Sequence, residues 1–453
     1  MTRNLNIKVA LCLSLAGAAC LGVHVVRAAD EPPGDEQFKL IVKIIGDADR
    51  DMRAMGLQLI REQMPGEAAT KAFAALLPKL SPDAQADLLN ALGDRGDAAA
   101  RPAVLDMLKS PQEPVRTAAL KALGPLGSTA EVAILAQKAA AGAPLEKKAA
   151  IQSLTVLRGD DVNAALVAAM ARSEPSVRGV LIGALADRNA KEALPSALKS
   201  AEDPEFVVRL AALAALRILA GENETAAIVK MVKTAKTDAE RYKAELTLLA
   251  VCTRGRQKCA EAIIDGLADA DAASRVVLLN GLARAGGAKA LPTIVARLQD
   301  DDEEVRNGAM RLLSAWPDAD AAPYLLALAK EGKDLRQQVL AIRGLVRLAS
   351  PQKDKPADLP MLADAMKLAK RPEEKRLVLG VLGKVATPQS LALVVPALDD
   401  PALAEDAGLA AVLIAGNIKG GDKEQTRSAL QKVLQQAKNP KTRDRAKKAL
   451  DSL

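Results

Sequence analysis

The sequence has very few aromatic side chains. Only 1% of its 453 residues are Phe, Tyr or Trp, although 49% are hydrophobic. A large globular core usually needs bulky rings to fill it, whereas stacked helices can pack on Ala and Leu alone. The chain is also poor in β-branched runs flanked by hairpin turns, and it is rich in good helix formers. These shortages argue against a sheet protein and predict an all-α fold.

Histidine and cysteine are almost as scarce. The one histidine is His24, and two of the four cysteines, Cys12 and Cys20, lie close to it. No serine-hydrolase elbow, Walker loop, dinucleotide fingerprint or zinc-protease helix occurs. With so little histidine, general-base chemistry would depend on carboxylates or lysines, and none of these forms a convincing pair. We therefore predict a protein that is not an enzyme, with no catalytic residue, metal or cofactor.

The first 28 residues have the pattern of a secretory signal peptide. Arg3 and Lys8 supply positive charge, an apolar run reaches Val26, and Ala28 is a small residue suited to cleavage. A membrane anchor is the competing interpretation, but the run is barely long enough to span a bilayer. We predict cleavage after Ala28, export from a bacterial cytoplasm to the periplasm or beyond, and no membrane span in the mature chain.

Cleavage would change the chemistry of the chain. It would remove the histidine, two cysteines and three basic residues, so the formal net charge would fall from +7 to +4. A mildly basic chain of this size is only weak evidence for a polyanionic partner. The predicted organisation is a signal peptide over residues 1–28, a short linker over 29–37 and one repeat domain over 38–453.

A repeat of about 31 residues runs through this domain. One position recurs with apolar residues four and seven places after it, so that the apolar pair lies on one stripe of a helix. Examples are Leu120 with Leu123 and Ile151 with Leu154. Two longer spacings predict loops over residues 350–356 and 416–421. The recurrent positions are Arg53, Gln85, Arg116, Lys147, Arg178, Arg209, Tyr242, Arg275, Arg306, Gln338, Lys375, Glu405 and Arg443.

In each repeat, helix start and stop signals predict two helices, A and B. Helix A is predicted to begin with a capping residue followed by proline, as at Ser110-Pro111. It is predicted to end near glycine, as at Gly93 and Gly124. Helix B often begins near a proline, such as Pro102.

The segments Glu113-Pro114-Val115-Arg116 and Glu303-Glu304-Val305-Arg306 resemble the HEAT-like repeat of the phycobilisome-lyase type. The resemblance covers nearly all of the chain after residue 38. It implies an α-solenoid, a superhelix of about thirteen HEAT-like helix-pair repeats, with helix A outside and helix B lining the concave side. The repeat is fairly specific for this fold and unspecific for function, because such arrays serve many unrelated partners.

The recurrent arginines have two interpretations. They could form a stripe that binds phosphate or carboxylate groups. Alternatively, they bridge carbonyls and acidic residues at the turns, with Glu174, Asp203 and Asp302 just upstream as partners. We favour the bridge, because the residue recurs with the period of the fold. The series is Arg53, Arg116, Arg178, Arg209, Arg275 and Arg306.

A second basic series lies near the ends of the B helices. Its members could form a basic rim that follows a polyanion. They could equally be cations at helix C-termini, where the helix dipole favours them. Nucleic acid is disfavoured by export and by the absence of interleaved aromatic residues. The candidate rim is Lys109, Lys138, Lys199, Lys230, Lys233, Arg297 and Lys367.

Cys252 and Cys259 bracket a predicted turn between two antiparallel helices. In an oxidising compartment this arrangement permits a disulfide across the hairpin. Two separate buried thiols are the alternative.

Together these features predict an exported, non-catalytic scaffold that binds a protein or peptide on its concave face. One alternative is a polyanion-binding envelope protein. Another, suggested by the resemblance alone, is an enzyme similar to a bilin lyase.

Overall fold

The computed structural model describes residues 35–332, 334–418 and 423–453. These residues contain 26 α-helices, short 3-10 turns and one isolated β-bridge, between Gln352 and Lys355. The predicted all-α fold is therefore confirmed. The predicted signal peptide lies outside the described residues. The first helix begins at Asp35, so it includes the last three residues of the predicted linker.

The chain divides into two compact units between Ala215 and Leu216. The division falls inside helix α12 (Phe206–Leu219). The other helices of the first unit are α1 (Asp35–Ile45), α2 (Arg50–Glu62), α3 (Glu67–Ala74), α4 (Pro82–Arg95), α5 (Arg101–Met107), α6 (Glu113–Leu126), α7 (Val132–Ala141), α8 (Pro144–Val156), α9 (Val162–Met170), α10 (Pro175–Asp187) and α11 (Leu194–Ser200).

The second unit is built in the same way. None of the described helices combines the length and apolar character needed to cross a membrane. The helices of the second unit are α13 (Thr225–Lys233), α14 (Asp238–Gly255), α15 (Ala260–Gly266), α16 (Ala272–Ala285), α17 (Ala290–Ala296), α18 (Glu303–Ser314), α19 (Ala322–Glu331), α20 (Leu335–Ala349), α21 (Leu359–Leu368), α22 (Pro372–Leu382), α23 (Pro388–Val394), α24 (Ala404–Ala415), α25 (Lys423–Gln436) and α26 (Pro440–Asp451).

The even-numbered helices are the A helices. Each of the thirteen recurrent sequence positions lies in one of them, from Arg53 in α2 to Arg443 in α26. Each A helix except α26 is followed by a B helix. The described residues therefore hold twelve A–B pairs and a thirteenth A helix, which agrees with the predicted array of about thirteen repeats.

The apolar stripe of the A helices forms the core. Leu120 and Leu123 in α6 are fully buried, and each such side chain contributes about 1.5–3 kcal/mol of transfer free energy. In α8 one member of the predicted apolar pair is wrong. Leu154 is fully buried as predicted, but Ile151 is 39% exposed and Ala150 beside it is buried. Glu146 occupies the position that Val115 has in α6, and it is buried there because it meets Arg116 of the preceding repeat.

One predicted helix boundary is wrong. Helix α6 begins at Glu113, not at Ser110-Pro111, and the carbonyls of that dipeptide accept hydrogen bonds from Arg116. The helix ends at Leu126, two residues after Gly124, so the predicted end near this glycine is confirmed. A Cβ atom at Gly124 would lie 2.6 Å from Cγ2 of Val156 in α8. This glycine therefore allows two A helices to approach closely.

The longer spacings correspond to loops. Helix α20 ends at Ala349 and α21 begins at Leu359, so the predicted loop over residues 350–356 is confirmed. Of the second predicted loop, residues 416–418 follow α24 without helical structure, and residues 419–421 lie outside the described part of the chain.

Candidate functional site

The recurrent arginines brace the turn that precedes their own helix. Nη1 of Arg116 donates to the carbonyls of Ser110 and Pro111 over 2.8 and 2.9 Å. Arg306 does the same with the carbonyls of Asp300 and Asp301, over 2.7 and 2.8 Å. Each arginine thus gives a hydrogen-bond donor to carbonyls of the turn that lie outside both flanking helices. The same bond is made by Arg53, Arg178 and Arg209.

The carboxylate partners of these arginines come from the next repeat. They lie 25 to 34 residues downstream, whereas the sequence suggested partners just upstream. Asp302, one of the suggested partners, instead caps α18 by accepting from the amide of Val305 over 3.1 Å. The observed ion pairs are Arg53 with Asp87, Arg116 with Glu146, Arg178 with Asp203 and Arg275 with Asp300.

Three buried carboxylates each lie between two cations. One cation comes from an A helix and the other from the end of a B helix or the turn after it. A buried carboxylate needs such partners, because its desolvation is costly. Two members of the candidate rim, Lys138 and Arg297, are thereby engaged in the fold. The three sets are Glu146 with Arg116 and Lys138, Asp300 with Arg275 and Arg297, and Glu374 with Arg343 and Arg371.

The other members of the candidate rim differ in whether they form ion pairs. Lys109 pairs with Asp106 over 3.0 Å, and Lys233 pairs with Asp269. Lys199 and Lys367 are exposed and form no ion pair with any described residue. Lys230 is exposed as well. The structure therefore does not gather this series into one free basic surface, and its use in binding stays a prediction.

A second set of arginines, which the sequence analysis did not identify, donates hydrogen bonds to carbonyls of the preceding A helix and the turn after it. Arg188, just after α10, donates from Nη1 to the carbonyls of Leu154, Thr155 and Leu157 at the end of α8. Arg254 reaches the carbonyl of Ala220 in the same way, over 2.7 Å. Arg95 and Arg347 are placed likewise. Burial lowers the pKa of the guanidinium groups of Arg95, Arg188 and Arg347.

The two cysteines lie together at the end of α14. Both are fully buried and both are free thiols in this structure. Burial raises the pKa of the Cys252 thiol, and the neighbouring thiol of Cys259 adds to the shift. The disulfide stays a prediction. Among the described residues no group of His, Cys, Asp or Glu side chains is arranged to hold a metal ion.

One groove of the second unit is lined by both aromatic and charged side chains. It has a volume of about 730 Å³ and lies where three successive A–B turns stack. We call it the turn groove. Its lining is Arg256, residues 283–288, Leu291, Pro292, residues 316–318, Asp320 and Tyr324.

Aromatic and charged side chains meet in the turn groove. Trp316, the only tryptophan of the chain, and Tyr324 are two of its six aromatic residues. Trp316 is mostly buried and Tyr324 is 36% exposed. Four charged residues also line the groove, all of them exposed: Arg256, Arg284, Asp318 and Asp320. None of the four makes an ion pair with any residue that the structure describes.

Arg256 has an unusual backbone conformation. Its φ is 53° and its ψ is −139°, a region that costs a residue with a Cβ atom of order 1–3 kcal/mol. Other A–B turns place Gly96, Gly159, Asn189 or Gly286 at positive φ, and these residue types tolerate it. Among the described residues Arg256 is the only one with a long side chain at positive φ. The backbone conformation alone would therefore favour glycine at this position and does not explain the arginine.

Sequence reasoning did not find this groove. A signal was present, because two of the six aromatic residues fall only eight positions apart. The conformation of Arg256 had no such signal, since it depends on how one turn packs against its neighbours.

The sequence matches the family model for HEAT repeats over residues 69–155, 163–249 and 260–352, which is more than half of the chain. No curated protein sequence matches this chain.

Two solved structures of karyopherin Kap121p are similar in fold. The one bound to the extreme C-terminus of the protein phosphatase Cdc14p has a TM-score of 0.53 and 12% sequence identity, over 92% of this chain and 53% of that chain. The one bound to Ste12p has a TM-score of 0.54 and 12% identity, over 91% and 52%. This chain thus spans about half the length of those karyopherins, and at this identity the likeness concerns the fold alone.

Proposed function

The chain belongs to the HEAT-repeat family, and from that premise we propose that it is a non-catalytic scaffold that binds an extended segment of another polypeptide in the turn groove. Repeat arrays leave long surfaces open to such segments. The observation that carries the proposal is the meeting of Trp316 and Tyr324 with four charged side chains that make no ion pair with another residue of the described part of the chain.

The character of the groove supports a polypeptide ligand. Tryptophan, tyrosine and arginine are the residues most enriched among the energetic centres of protein interfaces. Pro292 and Tyr324 offer exposed apolar surface, while the exposed charges can select a partner.

The karyopherin structures offer a precedent for the class of ligand. Kap121p has been solved with a terminal segment of Cdc14p and with Ste12p bound to it. A HEAT array can therefore hold a polypeptide segment. Because this chain spans only about half of Kap121p, the proposal is limited to binding and does not extend to the activity of karyopherins.

A polyanion is the weaker candidate partner. Four members of the candidate rim are held in ion pairs with carboxylates of the protein itself: Lys109, Lys138, Lys233 and Arg297. A polyanion would have to compete for them. Binding that collapses between low and moderate salt would favour the polyanion over the polypeptide.

The proposal includes export. The pattern of residues 1–28 supports binding in the periplasm or outside the cell. The partner is then a protein or peptide of the envelope or the medium.

Site-specific photo-crosslinking tests the proposed groove. A benzophenone amino acid replaces Tyr324 in one variant and Tyr242 in the other. Tyr242 is the matched control, because it is 58% exposed but lies on α14 outside the groove. After irradiation in an envelope extract, we expect adducts to a polypeptide from position 324 and not from position 242. Equal labelling from both positions, or none from position 324, would overturn the proposal.

A further inference from the structure

We propose that the turn groove selects its ligand by charge order, and that it fits an extended segment with an acidic residue and a basic residue about five positions apart. This inference rests on the proposed function and adds the chemistry of the partner. It follows from which turn supplies each charged side chain of the groove.

The charges of the groove are sorted by sign. The cations come from its first two turns: Arg256 begins the 3-10 turn after α14, and Arg284 is in the last turn of α16. The carboxylates come from the third turn, between α18 and α19, where Asp318 and Asp320 lie. The groove therefore has a positive end and a negative end, with a net charge near zero.

The apolar side chains lie toward the negative end. Trp316 and Pro317 precede the two aspartates, and Tyr324 follows them in α19. Pro292 in α17 lines the groove at the second turn and is exposed, while its neighbour Leu291 is 6% exposed. A ligand that crosses the groove thus meets cations first, then an apolar middle, and then aromatic surface with carboxylates.

The stacking of the repeats sets the length of the ligand. Packed helices lie about 8–10 Å apart, so turns that are two repeats apart are separated by roughly 16–20 Å. An extended chain advances about 3.3–3.6 Å per residue. Five or six residues therefore connect a carboxylate near Arg256 to a cation near Asp318.

The conformation of Arg256 agrees with this selection. Glycine would relieve the strain at its φ of 53° and ψ of −139°, as Gly286 does at a φ of 70° and a ψ of −156°. Arginine keeps a guanidinium group at the positive end of the groove, where it can bind a carboxylate through two hydrogen bonds.

Three hexapeptides test the inference, each with capped ends and the same uncharged middle, Ser-Pro-Leu-Ser. They carry Glu first and Lys last, Glu at both ends, or Lys at both ends. None contains an aromatic residue, so the fluorescence of Trp316 reports binding, and isothermal titration calorimetry measures it independently. We expect the Glu/Lys peptide to bind about fivefold more tightly than either of the others, and the difference to shrink in high salt.

Charge reversal in the protein makes the test specific. In the R256E/R284E variant the Lys/Lys peptide should bind best, and in the D318K/D320K variant the Glu/Glu peptide should bind best. Circular dichroism checks that both variants keep their helices. Equal binding of all three peptides to the unchanged protein would overturn the charge order and leave the proposed function standing. The absence of binding by any peptide, together with no crosslinking from position 324, would overturn both.

Discussion

Nε of Arg116 donates a hydrogen bond to Oε1 of Glu146 over 2.6 Å, across the junction between two neighbouring repeats. The Glu146 side chain is almost completely buried, and Nζ of Lys138 lies 3.8 Å from its second oxygen. The carboxylate thus compensates two cations and joins the A helix of one repeat to that of the next.

Removal of this carboxylate should destabilise the first unit. We expect Glu146→Ala to lower the free energy of unfolding by about 2–4 kcal/mol, because two cations would remain together without a counter-charge. Urea unfolding followed by circular dichroism measures the change. The matched control is Asp106→Ala, which removes an exposed partner of Lys109 and should cost less than about 1 kcal/mol. Equal losses would contradict the proposed role of burial.

Glu374 should make the second unit sensitive to acid. Its hydrogen bond from Arg371 holds the pKa of its carboxyl below the ordinary value of 4.5, against the opposing effect of burial. A depressed pKa contributes stability that is present above the unfolded value and is lost as the pH falls through the folded value. Glu374→Gln should therefore be less stable than the unchanged protein at pH 7, and the difference should shrink below about pH 4.5. Thermal unfolding between pH 3 and pH 7, at about one-unit steps, gives the profile. A difference that does not vary with pH would refute this explanation.

Two helical glycines should respond to alanine with opposite signs. Gly124→Ala places a methyl group 2.6 Å from Cγ2 of Val156 and should cost about 1–3 kcal/mol through overpacking. Gly183 in α10 has no atom within 4 Å of such a methyl group. Gly183→Ala should therefore gain about 0.5–1 kcal/mol from helix propensity. Thermal melts of both variants compare them directly, and two changes of the same sign would show that the close approach of α6 and α8 is not as described.

Arg256 should lower the free energy of unfolding and contribute to the binding of the ligand. Arg256→Gly relieves the strain of the positive φ and should raise the free energy of unfolding by about 0.5–2 kcal/mol. Arg256→Ala is the matched control, because it removes the same charge but keeps a Cβ atom and hence the strain. Both variants should lose the preference for the Glu/Lys hexapeptide to the same extent. If the glycine and alanine variants melt together, the strain does not exist.

The predicted export and the predicted disulfide can be measured together. Protein recovered from its natural compartment should begin at Ala29, and Cys252 and Cys259 should be joined, because the two buried thiols lie next to each other across one turn. Intact mass spectrometry without reductant should then give a chain two hydrogens lighter than the reduced form. Cys252→Ser is the control and should show no such difference. A chain that begins at Met1, or one with free thiols, would contradict the respective prediction.

The sequence predicted the features that recur in every repeat, but it did not predict contacts between repeats or features of a single turn. Arg116 and Leu120 could be assigned to an A helix because their spacing returns every 31 residues or so. The partner of Arg116 could not, since Glu146 lies in another repeat and only packing brings the two together. The same holds for Ile151, which has the spacing of Leu120 but is left 39% exposed by the packing of α8. The turn groove depends on Arg256 and Trp316, which follow no period at all.

These ion pairs are shared between neighbouring repeats, and this bears on how the number of repeats can change in evolution. One repeat supplies the arginine, and the next supplies the carboxylate that answers it, as with Arg178 and Asp203. Loss of the repeat that carries Asp203 would leave Arg178 without the carboxylate that answers it. A change in the number of repeats therefore needs a second change at the new junction, where the remaining charge must find another partner.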